Sequence, residues 1–183
     1  MEEAIKGIDR FLMFRLFEER AEKNATKLAL QTTHTIKEEA KADSEATKDG
    51  AIATQGALET TVEFEAIATN TELNAMLHYA VKNQKKVEVW EIDMSKPPKD
   101  GKYYSQYGVG YLSSWETPAD AEKNTTIKTT LTVENKLVVG YATLTDEQEA
   151  TAKAFFRDTV EKPEDKEPEQ EYPLPAAPAT PTP

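Results

Sequence analysis

Two histidines, a row of aromatic residues and several closely spaced carboxylates are the side chains of this 183-residue chain that could do chemistry. His34 and His78 stand far apart, and neither has another His, a Cys or paired Asp at metal-ligand spacing around it. A catalytic or structural metal needs such a set, so each reads instead as a surface or rim histidine. Glu38 with Glu39 and Glu63 with Glu65 have the closeness of an acid–base pair. Nothing beside them would divide the acid role from the base role, and such pairs in an acidic chain are usually a solvated face. Cysteine is absent, which removes thiolate nucleophiles, thiolate metal sites and disulfides. No Gly-x-Ser-x-Gly elbow occurs. The glycines of "GVGYLS" (108–113) lie within a strand pattern, open no helix and lack the P-loop lysine. Close packing or a bulge explains them better. Tyr103, Tyr107, Tyr111 and Trp115 fall on odd positions and could stack bases or sugars. The competing reading is a core-facing strand side or a subunit interface. These residues describe no enzyme, and they call for no cofactor and no metal.

The elements that would position them are mostly strands. "KLALQTTH" puts Leu28, Leu30 and Thr32 on one face, and "ALETTVEFEAIA" alternates Leu58, Val62 and Phe64 with Glu59, Glu63 and Glu65. "TIKTTLTV" repeats the alternation with Ile127, Leu131 and Val133. A period of two with one polar face marks half-buried antiparallel strands. "RFLMFRLF", "KVEVWEID" and "KLVVGYATL" are more continuously apolar, as strands covered on both faces are, within the subunit or against a neighbour. About seven strands result. "TNTELNAMLHYAVKN" has helical spacing with Thr69 or Asn70 as N-cap, and "LTDEQEATAKAFFRDTV" opens on a capping box, Thr145 with Gln148. Its apolar stripe is Ala152, Phe155, Phe156 and Val160, with Arg157 near its end. "KDGK" (99–102) reads as a hairpin turn. The expected fold is mainly β with two helices (α+β).

The net charge of -11 repels nucleic acid and anionic membranes, so binding by phosphate neutralisation is not expected, nor is membrane binding. The opening "MEEAIKGIDRFLMF" does not have the form of a secretory signal. Residues 161–183 hold seven of the ten prolines, six acids and two lysines, and end "YPLPAAPATPTP". With so little to bury, they read as an extended, solvated acidic tail on a body of residues 1–160. Residues 37–56, "KEEAKADSEATKDGAIATQG", are the other oddity. They carry charges of both signs and only Ile52 to bury, between two strands that a few residues would join. A structureless connection of this length is functional or disordered.

Several stretches, taken in order, resemble the major tail tube proteins of long-tailed, non-contractile bacteriophages, in particular the lactococcal and staphylococcal siphophage type. They are "AIKGIDRFLMFRLF", "KLALQTTHT", "ATKDGAIATQGALETTVEFEAIA", "VEVWEID", "GKYYSQYGVGYLSSWETPADAEKNTTIKTTLTV" and "GYATLTDEQ". The resemblance runs over about residues 4–160 and leaves out the proline-rich tail. It implies an antiparallel β-sandwich or incomplete barrel flanked by a helix. Six copies would join edge to edge in a ring, and rings would stack into a tube that conducts DNA without specific binding. Residues 37–56 would be the arm that reaches the adjacent ring. It would be solvated in the monomer and ordered on assembly, through Lys37, Glu38, Glu39, Lys41, Asp43, Glu45, Lys48 and Asp49. Glu59, Glu63 and Glu65 are the candidate lumen-facing acids. Partners implied are the protein itself, a tape-measure protein, a tail terminator and a distal tail protein. Synthesis in the bacterial host cytoplasm and residence in the virion follow from the same resemblance. The alternatives are a monomeric β-sandwich that binds carbohydrate or peptide, and the tube subunit of a type VI secretion-like system.

Overall fold

The computed structural model of the chain describes residues 6–153. Eight strands build the sheet: β1 Arg10–Leu16, β2 Thr26–Lys27, β3 Gln31–Thr47, β4 Gly50–Ile67, β5 Lys86–Asp93, β6 Tyr103–Leu112, β7 Thr126–Val133 and β8 Val138–Ala142. Helix α1, Glu72–Lys82, joins β4 to β5, and α2, Asp146–Lys153, follows β8. All pairings are antiparallel, in the order β2-β1-β5-β6-β7-β4-β3. The sheet forks at β6. Its Tyr103–Tyr107 half pairs with β8, and Gly110, Tyr111 and Leu112 pair with Val133, Thr132 and Leu131 of β7.

The sheet curls upon itself. Phe14 of β1 and Phe64 of β4 have three strands between them in the order, yet their rings meet at 4.7 Å between centroids. The concave face collects Leu12, Phe14 and Leu16 of β1, Val62, Phe64 and Ala66 of β4, Val87 and Val89 of β5, and Leu131 and Val133 of β7. Helix α1 lays Leu73, Leu77 and Ala80 into this core. The helix starts on Thr71 rather than Thr69 or Asn70, with the Thr71 side chain accepting from the Asn74 N–H. Thr69 instead accepts from the Asn74 side-chain amide. A second cluster covers the other face of β1, β5 and β6, from Phe11, Met13, Ile92, Tyr103 and Leu144. That double cover is why β1 and β5 read as continuous apolar runs. The capping box of α2 is formed, with Thr145 N–H donating to Gln148 Oε1 and Gln148 N–H donating to Thr145 Oγ1. Phe155, Phe156, Arg157, Val160 and the segment 161–183 lie outside the described residues.

Four expectations need correction or narrowing. Residues 37–56 are not a loop but most of a long hairpin, registered from Lys37 opposite Thr61 to Thr47 opposite Gly50. Leu28 and Leu30 do not share a face: the strand breaks after Lys27, Leu28 is buried, and Leu30 takes a φ of 51° and stands in solvent. β8 is not covered by the described residues of its own subunit, which leaves the neighbour of the two expected covers: Val138, Val139 and Tyr141 are each at least half exposed. The tyrosine row divides: Tyr103 is core, Tyr107 is half-buried, and Tyr111 is exposed. Between them Gly108 and Gly110 face inward, where a Cβ on Gly110 would land on the Thr132 carbonyl. The hairpin turn at 99–102 stands as expected, with Asp100 and Gly101 both at positive φ.

Candidate functional site

The chain's most unusual feature is the β3–β4 arm. β4 pairs with β7 only from Thr60 to Ile67, so from Glu59 outward to Gly50 it pairs with β3 alone. At ~3.3 Å per residue that ribbon extends ~30 Å beyond the body. A register shift sits between Ala40 and Ala42, a local kink of the kind that re-aims a strand. Directly opposed residues share a face. One face of the ribbon is therefore small, from Ala42, Ser44, Ala46, Ala51, Ala53 and Gln55. The other carries Asp43 and Glu45 beside Thr54 and Ile52, which is 57% exposed.

The residues assigned to the arm are thus sorted by parity. Lys37, Glu39, Lys41, Asp43 and Glu45 lie on one side of β3 and Glu38 on the other, while Lys48 and Asp49 form the tip turn. Lys37 bridges Glu39 at 2.9 Å and Lys41 bridges Glu59 at 3.6 Å. The hydrogen bond from Lys37 to Glu39 raises the lysine pKa, but exposed pairs of this kind add little stability. Glu59, Glu63 and Glu65 do share one face of β4, alternating with buried Thr60, Val62, Phe64 and Ala66. Lysines are interleaved there, with Lys128 lying 3.6 Å from Glu65. Nearest the body, Glu39, Glu59, Glu63 and Glu65 against Lys37, Lys41 and Lys128 leave this face one charge negative, and Asp43 and Glu45 lie on the same side toward the tip.

A second set of polar side chains escaped the sequence reading. At one end of the concave face, Glu91 receives His34 Nε2 at 2.8 Å, Gln106 Nε2 at 3.0 Å and Arg10 at 3.4 Å. Arg10 also reaches Asp93 at 3.3 Å. Gln31 accepts from the Leu12 N–H through Oε1, which turns its amide nitrogen toward His34 Nδ1, 2.6 Å away. His34 Nδ1 therefore accepts, and Nε2 donates to Glu91. The expected surface histidine is instead a largely buried tie between β3 and β5. Burial alone would raise the Asp93 carboxyl, but the side-chain and backbone bonds from Ser95, together with Arg10, hold it below its ordinary value. On the opposite face of β5, buried Glu88 meets Arg15 at 2.7 Å and the Tyr107 hydroxyl at 2.8 Å. Burial and then Glu88 push that hydroxyl up to about 12. His78 stacks on Trp115 at 5.0 Å. These carboxylates hold strands together and face protein cations and amides. Among the described residues no cluster of His, Cys, Asp and Glu has the shape of a metal site.

The remaining surfaces are edges. Among the described residues β3 is the last strand of the order and β8 has β6 as its one sheet partner, so each presents a row of backbone groups that no described strand pairs. Comparison with known proteins bears on what such edges meet. A family model described as phage tail tube protein matches residues 4–139. A chain described as a tail protein of Staphylococcus phage phiMR25 is 28% identical over 159 residues, covering 83% of this chain and 81% of that one. The SPP1 tail tube subunit is similar in structure at a TM-score of 0.69 and 18% identity, over 92% of this chain and 96% of that one. The tail of a gene transfer agent particle, refined with C6 symmetry, is similar at a TM-score of 0.59 and 10% identity, over 75% and 99%. At those identities the structural likeness concerns the fold.

Proposed function

Since the chain belongs to the phage tail tube protein family, and so is a tube-forming structural protein of the virion, we propose how it builds the tube: six copies close a ring through their free strand edges, and rings stack through the β3–β4 arm. The observation that carries this reading is the arm itself. A two-stranded ribbon is marginal alone in water, and one ~30 Å long with an exposed isoleucine near its tip gains most from a neighbouring subunit. Its acids and lysines (Lys37, Glu38, Glu39, Lys41, Asp43, Glu45, Lys48 and Asp49) are the groups that meet the adjacent ring. The open edges of β3 and β8 supply the lateral contacts, since pairing removes an otherwise aggregation-prone edge.

The face bearing Glu59, Glu63 and Glu65 lines the channel. Its excess negative charge keeps phosphates from settling, so that DNA passes through without specific binding. The subunit performs no reaction and needs no cofactor, which agrees with the structural use of Glu88, Glu91 and Asp93. Among the described residues no helix is long and apolar enough to cross a membrane. The protein is made in the host cytoplasm and works in the virion tail, beside tape-measure, tail-terminator and distal tail proteins.

Negative-stain electron microscopy over a concentration series tests the reading, with a variant whose residues 41–56 are replaced by a short Gly–Ser turn. The intact chain should give hollow tubes, alone or seeded with a tail tip. The variant should stop at rings or monomers. Monomers from the intact chain in every condition, seed included, would refute the proposal.

A further inference from the structure

The arm needs a receptor, and the body offers two recesses to compare. The groove between α1 and β1 is lined by Glu18, Glu19 and Glu72 as well as Arg15, Lys23 and Lys27. Arg15 is already taken by Glu88 and Lys23 by Glu19, so this groove suits an acidic tip that carries Asp43, Glu45 and Asp49 against Lys48 alone less well. The other recess, about 580 Å³, lies where β3 begins, under Gln31–His34. Among the described residues no carboxylate lines it. Its apolar wall is made by Ile8, Phe11, Leu28 and Leu30, of which Ile8 is 77% and Leu30 55% exposed.

Lys27 lies over the Phe11 ring, 4.8 Å from its centroid, and among the described residues it makes no ion pair. Burial lowers the pKa of its ammonium, and an incoming carboxylate would favour the charged form. The tip presents the matching set. Glu45 and Ile52 are directly opposed on the hairpin and project from the same face.

We propose that the arm tip of one copy docks in this recess of a second copy, Ile52 against Ile8 and Leu30, and Glu45 on Lys27. The proposal rests on the tube reading above and names the receptor for its arm. Tip and recess lie at opposite ends of one strand, β3, from Gln31 to Thr47, ~50 Å apart at ~3.3 Å per residue. A contact joining opposite ends of identical molecules is heterologous, and where its rotation does not close a ring it repeats along one direction. That is the symmetry a stack of rings requires, and it also keeps the arm from folding back into its own recess.

The chain has no native cysteine, which permits a clean crosslinking experiment. Ile52→Cys and Leu30→Cys chains, prepared separately and mixed before assembly, should yield covalent dimers on oxidation or with a short bismaleimide. The double variant should yield ladders, and neither single variant alone should crosslink. In parallel, Glu45→Lys and Lys27→Glu should each raise the concentration needed for tubes at least roughly tenfold, because like charges then face each other. The two combined should restore assembly, which also shows that the single variants fold. Normal tubes without 52–30 crosslinks, or no rescue by the charge exchange, would overturn this docking and leave the tube reading intact. Wild-type chains that never form tubes, even when seeded, would overturn both.

Discussion

Single residues decide whether this sheet can curl. Gly110 faces the Thr132 carbonyl so closely that no side chain fits, whereas Gly140 has nothing within 4 Å of a built Cβ. Gly110→Ala should therefore cost at least about 3 kcal/mol or prevent folding, and Gly140→Ala about 0.5 kcal/mol or less, by urea unfolding. Asp93 sets an acid limit. Its folded pKa is depressed, so its stabilisation is complete above the unfolded-state value of ~3.9 and is lost as pH falls through the lower folded value. Asp93→Asn should lower stability by about 2 kcal/mol at pH 6. Its urea midpoint should then fall less than wild type's as the pH drops from about 5 toward 2, across the carboxylate range. Nothing in the sequence singles out Asp93, Glu91 or Glu88, because "VEVWEID" looks like a strand with ordinary polar positions. Their roles depend on Arg10, Arg15 and His34, which lie 57 to 83 residues away. Pairings over such separations leave no trace in local spacing.

Among the elements, those with strong periodicity were legible and those with weak apolar contrast were not. α1, the α2 capping box, β4, β7 and the Asp100–Gly101 turn follow from spacing alone. The arm did not, although its outer strand alternates charged with small residues: Lys41, Asp43 and Glu45 against Ala42, Ser44 and Ala46. Alanine is a poor strand former with little to bury, so the alternation reads as loop composition. Backbone pairing needs no apolar face, and that is what holds the ribbon. For β8 the apolar run was legible but not its cover, since among the described residues of the subunit nothing buries it. Val139→Lys should leave the stability of the unassembled chain within about 0.5 kcal/mol. The same change should block ring formation in sedimentation and microscopy, if the strand lies between subunits as proposed.

At the scale of the whole molecule, a net charge of -11 is spread over a surface whose β4 face is close to balance nearest the body. Glu59→Lys with Glu63→Lys turns that part of the face from one charge negative to three positive. Tubes of this double variant should retain DNA in a salt-dependent manner, and wild-type tubes should not, in filter-binding or co-sedimentation assays. Equal behaviour of the two would place the face away from the channel. The fork in the sheet has a mechanical meaning. Arm, β4 and β7 are tied to the β1–β5–β6 half by the three ladder pairs at Gly110, Tyr111 and Leu112, by a few side-chain ties such as His34–Glu91 and Gln31–Leu12, and by apolar packing, which has no preferred direction. A pull along the arm is borne by that short ladder in shear, where hydrogen bonds act together. A sideways push meets mainly the apolar core and those few side-chain ties, so each subunit is stiffer along the arm than across it.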